Sequence, residues 1–186
     1  LSNAPIFTTL PLISKVLRVD EKVYLKFQKL IKNNYLNNNV NQKNLIFIFN
    51  ICNFLKINLK KIISTLNKFK GLRFRNEIVI NGKKIKVIND SKSTSFSSTQ
   101  ELIDTKKKTF WILGGLPKKG DKFTLSKKDC FNLRAYIFGK NAEFFVKRLK
   151  DKVHYQKFNN MISAIKKIKI DFKKEQMSNE KIILFS

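Results

Sequence analysis

Three short stretches of this 186-residue chain gather side chains able to do chemistry. Asn89-Asp90-Ser91-Lys92-Ser93-Thr94 puts a carboxylate, a cation and several hydroxyls within one turn. Such a set suits a ribose, a metal-phosphate group or a substrate carboxylate, although Asp, Ser and Thr also cap helices. Leu113-Gly114-Gly115-Leu116-Pro117-Lys118-Lys119-Gly120 runs from an apolar segment into paired glycines and then lysines. Glycines let a backbone approach a ligand closely, and a following Lys can meet an anion; a tight turn with solvated lysines reads equally well. The spacing is that of neither a phosphate-binding loop nor G-x-G-x-x-G. In Phe69-Lys70-Gly71-Leu72-Arg73-Phe74-Arg75, Arg73 or Arg75 could bring a guanidinium to a cleft between domains.

These stretches need elements to position them. Leu45, Ile48, Phe49, Cys52 and Leu55 recur at spacings of three and four, which predicts a helix over Asn41 to Leu55 with that stripe buried. A second helix is predicted from Leu59 to Phe69, with Gly71 just past its end. The first 38 or so residues are weakly patterned. After Gly71 two strands, Glu77 to Ile80 and Lys84 to Asn89, flank the hairpin signal Asn81-Gly82. Strand and helix then alternate: a helix near Thr99 to Ile103, strands Thr109 to Leu113 and Leu133 to Phe138, and a helix Asn141 to Leu149. A short strand around Val153, a helix Asn160 to Ile168 and a strand Lys181 to Phe185 complete the pattern. Alternation of this kind implies an α/β fold, a largely parallel sheet with helices on both faces. Ligands of such sheets sit at the carboxyl ends of the strands, where the first two stretches fall. The domain boundary is expected near Gly71.

Composition narrows the classes. The net charge of +26 raises a polyanion partner, but Lys is scattered over nearly every predicted element beside an excess of Asn, Ile and Phe. That spread reads as biased composition with solvated faces, and the nucleic-acid-binding module stands as the alternative. Cys52 and Cys130 lack metal or disulfide spacing, so no metal site is expected. His154, the only histidine, lies between Val153 and Tyr155 and reads as structural, which leaves no Ser/His/Asp or Cys/His hydrolase. No apolar run reaches about 18 residues and no signal peptide is visible, so a cytoplasmic protein without a membrane partner is expected.

The order F-x-G-L-x-x-R, then N-D-S-K-x-T, then an apolar strand ending G-G-x-x-K resembles the carboxyl-terminal half of the Mur ligases, and in its Asp-Ser-Lys…Thr run the D-glutamate-adding branch. The resemblance covers Asn41 to Ser186 best. It implies that residues 1–70 are the end of a central ATP-binding domain and 71–186 a Rossmann-like ligand-binding domain, truncated at its end. It implies an ATP-driven amide bond, with Mg²⁺, between UDP-N-acetylmuramoyl-L-alanine and D-glutamate in peptidoglycan precursor synthesis, by a monomer without nucleic acid. By position, Asn44, Arg75 and Asp90 would contact the nucleotide, Lys92 would be the catalytic lysine, and Thr94 and Lys118 would hold D-glutamate. Asn44 falls in Val40-Asn41-Gln42-Lys43-Asn44, where the family reads H-N-x-x-N; Val40 replaces that His, and Phe74 a His that often precedes the arginine. No G-x-x-G-K-S/T loop occurs in the sequence, so a fragment inactive alone is expected. A non-catalytic domain of ligase descent is the further alternative.

Overall fold

The computed structural model describes residues 18–37, 39–175 and 180–186. The chain divides into two compact units, 1–71 and 72–186.

In the first unit, helices α1 (Glu21–Gln28), α2 (Asn39–Phe54) and α3 (Leu59–Lys68) surround Tyr24, Ile31, Leu36, Leu45, Ile46 and Phe49. The Asp20 side chain caps α1 by accepting from the Lys22 N–H at 2.8 Å, and Asn58 caps α3 by accepting from Lys60 and Lys61. α1 lies in the weakly patterned stretch and was not expected; its only sequence signal is the cap followed by an acidic first turn. The buried stripe of α2 also differs from expectation. Leu45, Ile46, Phe49 and Asn50 face inward, whereas Ile48 is 39% and Leu55 58% exposed. Asn50 sets this rotation: its side chain accepts from the Asp20 N–H and donates to the Asp20 C=O, both at 2.9 Å. Phe49 then meets the ring edge of Tyr24 and stacks on Phe27. Gly71 has φ +83°, and a Cβ there would lie 2.7 Å from the Tyr35 ring, so the chain turns here only with glycine.

The second unit is built on one six-stranded sheet, β1 (Glu77–Asn81), β2 (Ile85–Asn89), β3 (Lys108–Gly114), β4 (Leu133–Phe138), β5 (His154–Phe158) and β6 (Lys181–Phe185), in the order β1-β2-β6-β3-β4-β5. Only β1 runs antiparallel to its neighbour. The hairpin reverses at Lys83-Lys84, where the Gly82 N–H donates to the Ile85 C=O at 2.8 Å. Neither Asn81 nor Gly82 takes a positive φ, so the Asn-Gly pair precedes the turn instead of forming it. A bulge at Val79 adjusts the register.

One face of the sheet packs on α4 (Phe96–Gln100) and α5 (Ala142–Leu149), with Trp111, Leu113, Ala135, Ile137, Ile182 and Leu184 in that core. α4 starts three residues before the predicted helix because Ser95, not Thr99, supplies the cap. β5 begins just after Val153, whose own side chain is buried. The opposite face meets α6 (Met161–Lys174), which packs over β3, β4 and β5 and extends past the predicted Ile168. Beside α6 lies an apolar groove of about 340 Å³ lined by Val79, Val87, Met161, Ile165, Ile183 and Phe185, among others. Among the described residues no helix is long and apolar enough to cross a membrane.

Three outcomes follow from this packing. Ile137, fully buried in β4, should lose about 2–5 kcal/mol of stability on change to Ala, read as a lower urea midpoint. Phe131→Ala, at a side chain 81% exposed, should stay within about 0.5 kcal/mol of the parent. The groove should bind an apolar dye such as ANS, and Ile165→Lys should reduce the fluorescence. Undiminished fluorescence would place the dye elsewhere.

Candidate functional site

The parallel pairing of β2, β6 and β3 brings Asn89, Phe185 and Ile112–Gly114 to one edge of the sheet. Two backbone bonds lock it: the Asp90 N–H donates to the Phe185 C=O at 2.7 Å and the Ser186 N–H to the Ile112 C=O at 3.0 Å. Everything after β2 and β3 therefore projects from the same rim.

After β2 the chain makes a turn closed by the Ser93 N–H donating to the Asp90 C=O at 2.7 Å. The Asp90 side chain is only 8% exposed and accepts from the Asn76 N–H at 2.8 Å. The segment that presents Asn76 is itself tied down. The Phe74 N–H donates to Glu77 Oε2 at 2.9 Å, and the Phe74 C=O accepts from the Lys92 N–H at 3.1 Å. Lys92 Nζ and the Arg73 guanidinium stand over the Phe74 ring, 5.9 and 5.1 Å from its centroid. Arg75, Asp90 and Lys92 are thus gathered in one locality, with Arg75 acting on the Asp90 charge. Asn44 lies in the first unit, exposed on α2.

Beyond this turn, Ser93 Oγ shares hydrogen bonds with Ser98 Oγ and Thr99 Oγ1, and Ser95 caps α4. These hydroxyls serve the helix start. Thr94, between them, is exposed and lines a small pocket of about 50 Å³ with Lys118, Trp111, Asp121 and Ser186. The loop that carries Lys118 is anchored from three sides. Asp121 Oδ2 accepts from the Phe96 N–H at 2.6 Å, Arg148 Nε donates to the Asp121 C=O, and Asn141 Nδ2 donates to the Gly115 C=O. The two glycines have separate causes. A Cβ on Gly114 would come 2.7 Å from the Phe138 C=O, and Gly115 has φ +107°. Gly114 therefore serves the packing of β3 against β4, not the approach of a ligand.

The structure thus brings Thr94 and Lys118 to one pocket and Arg75, Asp90 and Lys92 to the turn beside it. Trp111, Asp121 and Ser186 also line the pocket, and sequence reasoning passed over all three. Trp111 Nε1 donates to Ser186 Oγ at 2.8 Å, which fixes the hydroxyl at the rim. The rule that pointed to residues after strands applies equally to Ser186, the residue after β6.

Burial pushes the Asp90 carboxyl above its ordinary value of 3.8; the Asn76 N–H, the Arg75 charge and the Ser93 hydroxyl oppose that without cancelling it. Between the unfolded and folded values the native state holds more protons, so stability falls as pH rises through that window. At neutral pH the carboxylate is a net cost to folding. Asp90→Asn keeps an oxygen for the Asn76 N–H and should raise the urea midpoint at pH 7. The gain should fade as pH falls below the ordinary carboxyl value. A lower midpoint at pH 7 would mean that the charged form is favoured by its surroundings.

A scan against models of protein families finds no match to the chain. Among individual proteins, it is 34% identical over 130 residues to the UDP-N-acetylmuramoylalanine–D-glutamate ligase of Francisella philomiragia, covering 68% of this chain and 31% of that protein. The enzyme of the same name from a Wolbachia of Brugia malayi is 31% identical over 126 residues, 68% of this chain and 25% of that protein. The Francisella tularensis enzyme is 30% identical over 150 residues, 78% and 35%. The chain spans about a quarter to a third of the length of these relatives. In fold it is similar to MurF from Acinetobacter baumannii, with TM-score 0.60, 13% identity, and coverage of 80% of this chain and 35% of that one. It is also similar to the UDP-N-acetylmuramate–alanine ligase MurC from Thermotoga maritima, with TM-score 0.51, 15% identity, and coverage of 77% and 34%. Sequence identity with ligases of one kind and a fold shared with two others, joined to the ordered motifs at the carboxyl rim, make this chain a member of the Mur ligase family.

Proposed function

We propose that this chain is the amino-acid-binding part of an ATP-dependent ligase that joins D-glutamate to UDP-N-acetylmuramoyl-L-alanine in peptidoglycan precursor synthesis in the cytoplasm. The observation that carries this reading is the meeting of Thr94 and Lys118 at one pocket on the carboxyl rim. An α-carboxylate entering there would meet Lys118 and Thr94, an ammonium and a hydroxyl able to pair with it and so orient the attached amine. The relatives named as D-glutamate ligases support the choice of amino acid.

The neighbouring turn supplies the nucleotide side. Asp90 would accept from ribose hydroxyls and Arg75 would contact the nucleotide; within the first unit, Asn44 is the candidate for a nucleotide contact. On this reading residues 1–70 end the ATP-binding domain and 71–186 form the ligand-binding domain. In the reaction, the substrate carboxylate takes the γ-phosphoryl group of ATP to give an acyl phosphate and ADP. The amine of D-glutamate attacks the acyl carbon, the C–O bond to phosphate breaks, and the amine loses a proton as the amide forms. Lys92, exposed and with its Nζ over the Phe74 ring, would be the cation that neutralises the phosphoryl charge as it builds up. Among the described residues no three His, Cys, Asp or Glu converge as a metal site. This chain's share of the work is binding and orientation, and no turnover is expected from it alone.

Titration of the chain with D-glutamate, followed by amide chemical shifts, tests the reading. Shifts should concentrate at residues 93–95 and 114–118, and L-glutamate should produce weaker ones. Lys118→Ala should weaken D-glutamate binding about tenfold, the loss of one charge-assisted hydrogen bond. Equal binding by the Lys118→Ala chain would remove that residue from the site.

A further inference from the structure

At the opposite, amino edge of the sheet a cavity of about 290 Å³ opens between β4, β5 and the end of α6, lined by Arg134, Tyr136, His154, Tyr155, Gln156 and Asp171. The sheet face that α6 covers is otherwise apolar, with Phe110 and Ile112 on β3 and Tyr136 and Phe138 on β4. Arg134 lies two residues before Tyr136 and so shares that face. Its register partner on β5 is His154, and Gln156 pairs with Tyr136 in the same way. Three polar side chains thus stand together where the fold would accept apolar ones. His154, expected to be structural, is exposed at the lip of the cavity.

The floor beneath them is already satisfied. Tyr136 donates its hydroxyl to Asp171 Oδ2 at 2.9 Å, and Lys167 Nζ donates to Asp171 Oδ1 at 2.7 Å. Burial pushes the Tyr136 phenol up and keeps it protonated. Burial acts on Asp171 in the same sense, but the Lys167 and Tyr136 donors outweigh it and hold the carboxyl below its ordinary value. Asp171 is therefore neutralised and both its oxygens are engaged. Arg134 is steadied from outside by Glu175 at 3.0 Å, and Glu175 is shared with Lys108 at 3.4 Å. Three cations, Arg134, Lys108 and Lys167, thus face two carboxylates, Asp171 and Glu175. The uncommitted groups at the mouth, His154 and Gln156, add donors, not carboxylates.

We propose that this cavity binds a small organic anion, its carboxylate or phosphate held by Arg134, His154 and Gln156. Arg134 meets Glu175 and the Tyr136 hydroxyl, and the guanidinium's other N–H groups suit either oxyanion. The volume, near the lower limit of about 300 Å³ for ligand sites, restricts the occupant to a compact molecule. The site lies at the other end of the strands from Thr94 and Lys118, so it stands or falls independently of the ligase reading.

Benzoate and inorganic phosphate serve as separate probes, titrated into the full chain and followed by amide chemical shifts. At least one should saturate, with shifts at residues 134–136 and 154–156, and the better binder identifies the oxyanion. Arg134→Gln and His154→Gln should each weaken it about tenfold. Lys83→Ala with Lys84→Ala, remote lysines of the hairpin, should leave it unchanged. His154 lies on an edge strand, so its variant keeps the test open if Arg134→Gln fails to fold. Wild-type titration of the His154→Gln chain, or shifts spread over the lysines without saturation, would overturn the proposal.

Discussion

The insertion of β6 between β2 and β3 is the constraint on which the second unit depends. Its five residues pair in parallel with both neighbours: Leu184 is in register with Ile88 on one side and Trp111 on the other. Ile182 and Leu184 close the core on the α4–α5 face, while Ile183 and Phe185 pack with the α6 cluster. Without β6 the hairpin β1–β2 would have no place in the sheet, and the turn holding Asp90 would have no common edge with the loop holding Lys118. These are long-range pairings, about a hundred residues apart for Ile88 and Leu184, whose loop-closure cost is recovered only when the full sheet forms. The site is thus a product of the strand inserted between β2 and β3.

That strand also explains a buried cation. Lys181 is 3% exposed, an unusual place for a lysine. Its Nζ donates to the Phe172 and Glu175 C=O groups at 3.4 and 3.0 Å and lies 4.6 Å from the Phe172 ring centroid. Those carbonyls belong to the end of α6, where the helix has no internal donors for them and where a positive charge is favoured. The lysine caps α6 and starts β6 with one side chain, which couples the helix covering one face to the strand that completes the sheet.

What the sequence made legible follows from the kind of signal each element carries. Strands buried on both faces appear as unbroken apolar runs, such as Phe110–Leu113 and Ile182–Phe185, and the motifs after them are local in sequence. The stripe of α2 was misread because Ile48, Cys52 and Leu55 are as apolar as Leu45 and Phe49. A single polar residue, Asn50, chooses between the two faces through bonds to Asp20, thirty residues away. For Gly114 the ligand and turn readings stood equal because its neighbour in space, Phe138, is invisible from position 114. The roles of Trp111 and Ser186 are likewise pairings across the sheet. Legibility ended wherever the deciding contact was long-range.

The turn before β1 shows where the fold gives up stability. Phe74 at φ +65° and Asn76 at φ +46° both take left-handed backbone conformations. Asn tolerates this region, but a Phe there costs on the order of 1–2 kcal/mol. The chain holds the conformation through the Glu77 carboxylate and the Lys92 N–H, and the result is an Asn76 N–H aimed at Asp90. That carboxylate is itself unfavourable as an anion because it is buried. A strained turn supporting a disfavoured charge has no use in packing, since apolar or neutral residues could occupy both places at lower cost. It coincides with Arg75 and Lys92 at the rim of the sheet, and strained backbone and perturbed charge are features that gather at functional sites.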